Sequence, residues 1–162
     1  LQSFGVKATF FCVGHNVEKH PEVLQLLVKS GHSIGNHTYH HLKGWNTKDE
    51  DYLSNVEACD IIINKYYPEY KLRLFRPPYG RIKKSQIRAL SSSHEIIMWD
   101  VLTHDYSQGH SFDKALYRSI KATNPGSIVV FHDNIKAEKK MLYILQRYLT
   151  HFLEKGFIFK TL

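Results

Sequence analysis

The chain has 162 residues, 43% hydrophobic and 23% charged, enough for one domain with a real core, too few for two ordinary ones, and unlike disordered or collagen-like sequence. No apolar run nears the ~20 residues that a membrane helix needs. The formal charge of +7, from 22 Lys+Arg against 15 Asp+Glu, would suit an anionic partner, yet the basic residues are scattered. Their nearest approach to a cluster, Arg81, Lys83, Lys84 and Arg88, reads as a solvated face, and no nucleic-acid motif accompanies it.

In chain order, Leu1, Phe4 and Val6 open an amphipathic pattern already under way, so the sequence is expected to be a piece of a longer protein. Residues 6–13 are apolar and aromatic up to Gly14, a buried strand. Pro21 suits the first turn of a helix that carries Val23, Leu24, Leu27 and Val28 and ends at Gly31. A short strand at residues 33–34 leads to Asn36. Thr47 and Glu50 have capping-box spacing and predict a helix with a buried stripe of Leu53, Val56, Cys59, Ile63 and Tyr66, closed by Pro68. Cys12 and Cys59 read as buried free thiols, although one pairing stays open.

Residues 74–75 form a short strand, 85–90 a helix, and 95–101 a strand followed by a polar loop. Ser111 is an N-cap for a helix to about residue 122. Asn124, Pro125 and Gly126 make a turn into a strand at 127–131. Met141, Leu142, Leu145, Tyr148, Leu149 and Phe152 mark a helix that Gly156 closes, and residues 157–162 form the last strand. Such alternation predicts a parallel sheet with helices outside, where sites lie at the carboxyl ends of strands.

Four groups of chemically capable residues fall at those ends. His37 and His41 are four apart, so a helical turn would put both on one face as half of a zinc site; a polar loop rich in His is the alternative, and His40 competes as a ligand. Arg76, Pro77, Pro78, Tyr79 and Gly80 form a rigid loop able to aim an Arg and a backbone N–H into a pocket, or a plain structural turn. Asp100, His104, Asp105 and Tyr106 follow another strand, where an Asp could orient a His. His132 ends an apolar strand, either as a satisfied core residue or as a general acid or base.

In this order the segments resemble the motifs of the polysaccharide deacetylase family, the NodB-homology domain of carbohydrate esterase family 4. His37-Thr38-Tyr39-His40-His41 is similar to its H-[ST]-x-x-H motif, Arg76-Pro77-Pro78-Tyr79 to R-x-P-[YF], Asp105-Tyr106 to an Asp-Trp pair, and Val130-Phe131-His132 to an apolar strand ending in His. The resemblance covers residues 1–162 as one domain and implies an α/β fold, a distorted (β/α) barrel incomplete at its N-terminus. The family's Thr-Phe-Asp-Asp-Gly-Pro motif, which supplies a catalytic base and a third metal ligand, is absent and is expected just upstream of Leu1; a natural variant without that strand is the alternative.

The resemblance implies a metal-dependent hydrolase that removes acetyl groups from peptidoglycan- or chitin-like N-acetylglucosamine polymers. His37 and His41 would bind a divalent metal, most simply zinc. Arg76 would hold the base, the Tyr79 N–H would stabilise the oxyanion, and His132, held by Asp105, would be the general acid. Tyr106 and Pro78 would touch substrate. The expected partner is an acetylated polysaccharide outside the cytoplasm. An O-acetyl-xylan esterase and an inactive carbohydrate-binding member are the alternatives. An incomplete barrel would leave a sheet edge that another copy or the chain's own tail could cover.

Overall fold

A computed structural model describes residues 1–162. The chain forms two compact units, Leu1–Met98 with Phe159–Leu162, and Trp99–Ile158.

The first unit is built on a parallel sheet of β1 (Thr9–Cys12), β2 (Ser33–Asn36), β3 (Leu74–Phe75) and β4 (Glu95–Ile96), in the order β1-β2-β3-β4. Its helices are α1 (Gly14–Lys19), α2 (Pro21–Lys29), α3 (Asp49–Tyr66) and α4 (Lys84–Leu90). Val17 of α1, Leu24 of α2, Ile34 of β2 and Cys59, Ile62 and Ile63 of α3 form one core cluster with Tyr70. Tyr52, Val56, Phe75 and Leu90 form another. α1 carries no apolar periodicity over its six residues, and only close packing reveals it: a Cβ on Gly14 would lie 2.7 Å from the Tyr39 ring and 3.1 Å from the Cys59 Cα.

The second unit pairs β5 (Val101–Leu102) with β6 (Val129–Val130) in parallel and adds α5 (Phe112–Ala122) and α6 (Glu138–Glu154). The Ser111 hydroxyl caps α5 by accepting the Lys114 N–H, as its position predicts. Gly126 takes the left-handed conformation, at φ 88°, in the expected turn before β6.

Three local expectations need correction. The Thr47–Glu50 capping box does not form: the N-cap of α3 is Lys48, and the Thr47 hydroxyl donates instead to the Lys43 carbonyl at 2.9 Å. Asp49, Glu50 and Asp51 in the first turn complement the helix dipole in its place. The single strand at 95–101 is two strands in different sheets, β4 and β5. The Ile97 N–H still pairs with the Phe75 carbonyl, but the Ile97 and Met98 carbonyls accept from the Arg76 guanidinium, which ends the ladder. Residues 157–162 form no strand. Their end packs with the first unit instead, where the Leu162 N–H donates to the Thr9 hydroxyl on edge strand β1 at 2.9 Å.

Both cysteines are free. Burial pushes the Cys59 thiol up to about 12 from its ordinary 9.0. Unfolded chains therefore lose this proton before folded ones do. The stability linked to it is complete below about pH 9 and is lost as pH rises toward 12. Urea midpoints should fall over that range, and less so in Cys59→Ala; equal slopes would remove Cys59 as a cause.

Candidate active site

β2 and β3 are parallel neighbours, so the residues after them emerge at the same sheet edge. His37 comes directly after β2 and Arg76 directly after β3. The His37 Nδ1–H donates to the Arg76 carbonyl at 2.6 Å, since a carbonyl can only accept. That bond sets the tautomer and leaves Nε2 as the lone-pair nitrogen, the arrangement metal-binding histidines use.

The His37 and His41 rings lie 5.0 Å apart, but no helical turn brings them there. The segment is a loop with Thr38 at φ 60° and His41 at φ 56°. Its shape comes from buried Asn36, whose side-chain oxygen accepts the Thr38 N–H at 2.8 Å, while the Thr38 hydroxyl accepts the Leu42 N–H at 3.0 Å. The Asn36 amide donates in turn to the Val56 carbonyl and to Asp60, both at 2.8 Å. The second oxygen of Asp60 meets His94 Nε2 at 2.9 Å. Sequence reasoning missed this buried support. His40 is exposed, and its ring lies against Tyr39, 4.6 Å away.

Arg76 is buried, with its guanidinium 4.1 Å from the centre of the Phe11 ring, and desolvation holds its pKa down to about 10. Pro78 is buried in the turn Pro78–Gly80. Within it Tyr79 is left-handed at φ 60°, 59% exposed, with its ring 4.8 Å from His41. The turn closes through the Gly80 N–H to Pro77 and the Arg81 N–H to Pro78, bonds that do not use the Tyr79 N–H.

In the second unit β5 and β6 are parallel, and Asp105 and His132 lie beyond their carboxyl ends. Asp105, 1% exposed, accepts His132 Nδ1–H at 2.7 Å and the His132 backbone N–H at 2.6 Å. The Tyr106 N–H reaches the same carboxylate at 3.0 Å. One buried carboxylate thus fixes both backbone and ring of His132 and directs Nε2 outward. The half-exposed Tyr106 ring packs edge-on to it at 4.5 Å. His104 is left-handed at φ 54°, and burial lowers its pKa.

The four non-glycine residues with positive φ are Thr38, His41, Tyr79 and His104. All fall in or beside these segments. Strain of roughly 1–3 kcal/mol per residue persists where surrounding structure over-determines it, commonly at functional sites.

Residues 1–96 match the family model for polysaccharide deacetylases. The chain is 34% identical to a peptidoglycan-N-acetylglucosamine deacetylase of Bacillus cereus over 82% of its own length and 48% of the relative's. It is 33% identical to chitin deacetylase 2 of Saccharomyces cerevisiae, over 62% of this chain and 32% of that one. A solved peptidoglycan N-acetylglucosamine deacetylase superposes with a TM-score of 0.92 at 31% identity, covering 100% of this chain and 76% of that structure. The chain belongs to the polysaccharide deacetylase family, and its fold is the α/β fold of those enzymes. It spans about half the length of the Bacillus cereus relative.

Proposed function

We propose that the protein to which this chain belongs is a metal-dependent deacetylase of N-acetylglucosamine polymers, peptidoglycan- or chitin-like, acting outside the cytoplasm. The observation that carries this reading is the convergence of His37 and His41, 5.0 Å apart, with His37 tautomerically set by the Arg76 carbonyl. Two imidazoles so held suit a divalent cation, zinc first. Peptidoglycan and chitin deacetylases among the relatives support the substrate class.

An amide carbonyl is a weak electrophile. A divalent metal held by His37 and His41 would polarise it and ready a water for attack. The chain's own groups do the rest. The Tyr79 N–H, left out of its turn's hydrogen bonds, donates to the oxyanion. His132, its Nδ1–H held by Asp105, gives a proton from Nε2 to the departing sugar nitrogen. The C–N bond breaks, and acetate and a free amine leave. Tyr106 walls the substrate beside His132. Arg76 holds the base.

No third His, Cys, Asp or Glu joins His37 and His41 in a cluster, and the 162 residues contain no Asp-Asp pair. The chain alone with added Zn²⁺ should therefore release acetate about 10²–10⁴-fold more slowly than a version extended upstream with that motif, the range for a lost general base. The assay uses chitooligosaccharide and acetyl-xylan side by side. Equal rates from the two versions would overturn the mechanism, and acetate released from the xylan with none from the chitooligosaccharide would make the protein an O-acetyl esterase.

A further inference from the structure

Trp45 is an indole left 56% exposed on a turn that the fold holds rigidly. It sits in the short turn Gly44–Asn46. The Gly44 N–H donates to the Arg81 carbonyl at 2.9 Å, and the wholly buried Gln86 donates from Nε2 to the Gly44 carbonyl at 3.1 Å. A Cβ at Gly44 would come within 2.5 Å of Gln86 Oε1 and 2.7 Å of the Arg81 carbonyl, so only glycine permits this approach. The indole N–H donates to the Ile82 carbonyl at 3.1 Å, and the Arg81 guanidinium lies 4.9 Å from the ring centre. The ring's direction is set, and its hydrogen-bond donor is already used.

Two stretches of chain, residues 41–45 and 79–82, run side by side from the histidine pair to this indole. His41 packs on Tyr79 at 4.8 Å, and Lys43 Nζ lies 5.5 Å from the centre of the same ring. Gly44 then bonds Arg81, and Trp45 meets Arg81 and Ile82. The result is a strip of exposed aromatic faces, Tyr79 then Trp45, interleaved with the cations Lys43 and Arg81. A core would bury such a large apolar ring. Here the fold presents it, continuous with the candidate site.

We propose that Trp45 and Arg81 form a further sugar subsite, which binds a pyranose unit of the polysaccharide beyond the one at the histidine pair. The proposal rests on the carbohydrate reading above and deepens it, because it names the residues that would hold a second unit of the chain. A pyranose has a face of C–H groups that packs flat on an indole and an equatorial rim of hydroxyls. Arg81 and Lys43, both donors only, suit the oxygens of that rim.

The test is titration of the chain with N-acetylglucosamine oligomers from the disaccharide to the hexasaccharide, monitored by calorimetry and by tryptophan emission. Affinity should rise with oligomer length, by about tenfold once the subsite is reached, the scale of one good aromatic contact. Emission should shift to the blue as sugar covers Trp45. Trp45→Ala should flatten the length dependence and remove the shift, while Trp45→Phe, which keeps a ring face, should retain most of the gain in affinity. An unchanged thermal midpoint in both variants shows that the fold is intact. Wild-type protein whose affinity rises with length, with Trp45→Ala behaving identically, overturns the subsite alone. Wild-type protein that binds no oligomer of any length overturns the carbohydrate reading and the subsite with it.

Discussion

His132→Ala, in a version of the protein extended upstream with an Asp-Asp motif, should lower acetate release from an N-acetylglucosamine oligomer by about 10²–10⁴-fold, the usual cost of a lost general acid. The geometry behind this is specific. Asp105 is buried and spends one oxygen on the His132 ring and the other on its backbone N–H, so the imidazole has one tautomer and one direction. An amine leaving group needs a proton as the C–N bond breaks, and Nε2 is the nitrogen free to give it. Metal content, measured on the same preparation, should not change, because His132 is not among the proposed ligands. A loss below about 3-fold with metal still bound would take His132 out of the role, well under the range expected of an acid catalyst. Asp105→Asn should fall between wild type and His132→Ala, since an amide can keep the ring in place but no longer stabilises a protonated imidazole.

Asp60→Ala should cost the chain about 3–5 kcal/mol of folding stability, the penalty for removing one partner from a buried polar pair. Asp60 and His94 have side chains only 7% and 5% exposed, joined at 2.9 Å. The other carboxylate oxygen holds the Asn36 amide. Truncation leaves His94 Nε2 and one Asn36 amide N–H without the carboxylate and away from water, and Arg73, 3.8 Å from the lost carboxylate, is a donor and cannot accept from Asn36. Out of a typical total of roughly 5–15 kcal/mol this is a large share, readable as a shift of the urea midpoint. Asp60→Asn should cost much less, because an amide oxygen still accepts from Asn36 and its N–H₂ can donate to His94. A loss below about 1 kcal/mol in Asp60→Ala would mean that water replaces the carboxylate. The loss should extend to the histidine loop, since Asn36 also holds the Thr38 N–H that shapes it.

The class of fold and the identity of the candidate groups were legible in the sequence, because both depend on short-range patterns. Apolar runs ending at glycine marked β1, two residues marked β3, and Ser111 marked the start of α5 through its own hydroxyl. Residues after neighbouring parallel strands emerge at one edge of their own sheet, so His37 with Arg76, and Asp105 with His132, could be paired from strand ends alone. What the sequence could not carry was conformation set by distant partners. The four-residue spacing of His37 and His41 suggested a helix, yet two left-handed residues and the Asn36 side chain bring the rings together. The carboxylate behind Asn36 comes from α3, and its own partner, His94, lies 34 residues further on. Arg76 takes the carbonyls that would have carried residues 95–101 as one strand. Local propensity fixes which way a short segment leans, but each buried donor and acceptor must find a partner somewhere in the folded chain. Only tertiary structure decides which one it finds, and that choice determined the shape of the histidine loop, the break after β4 and the tail that meets Thr9 instead of forming a strand.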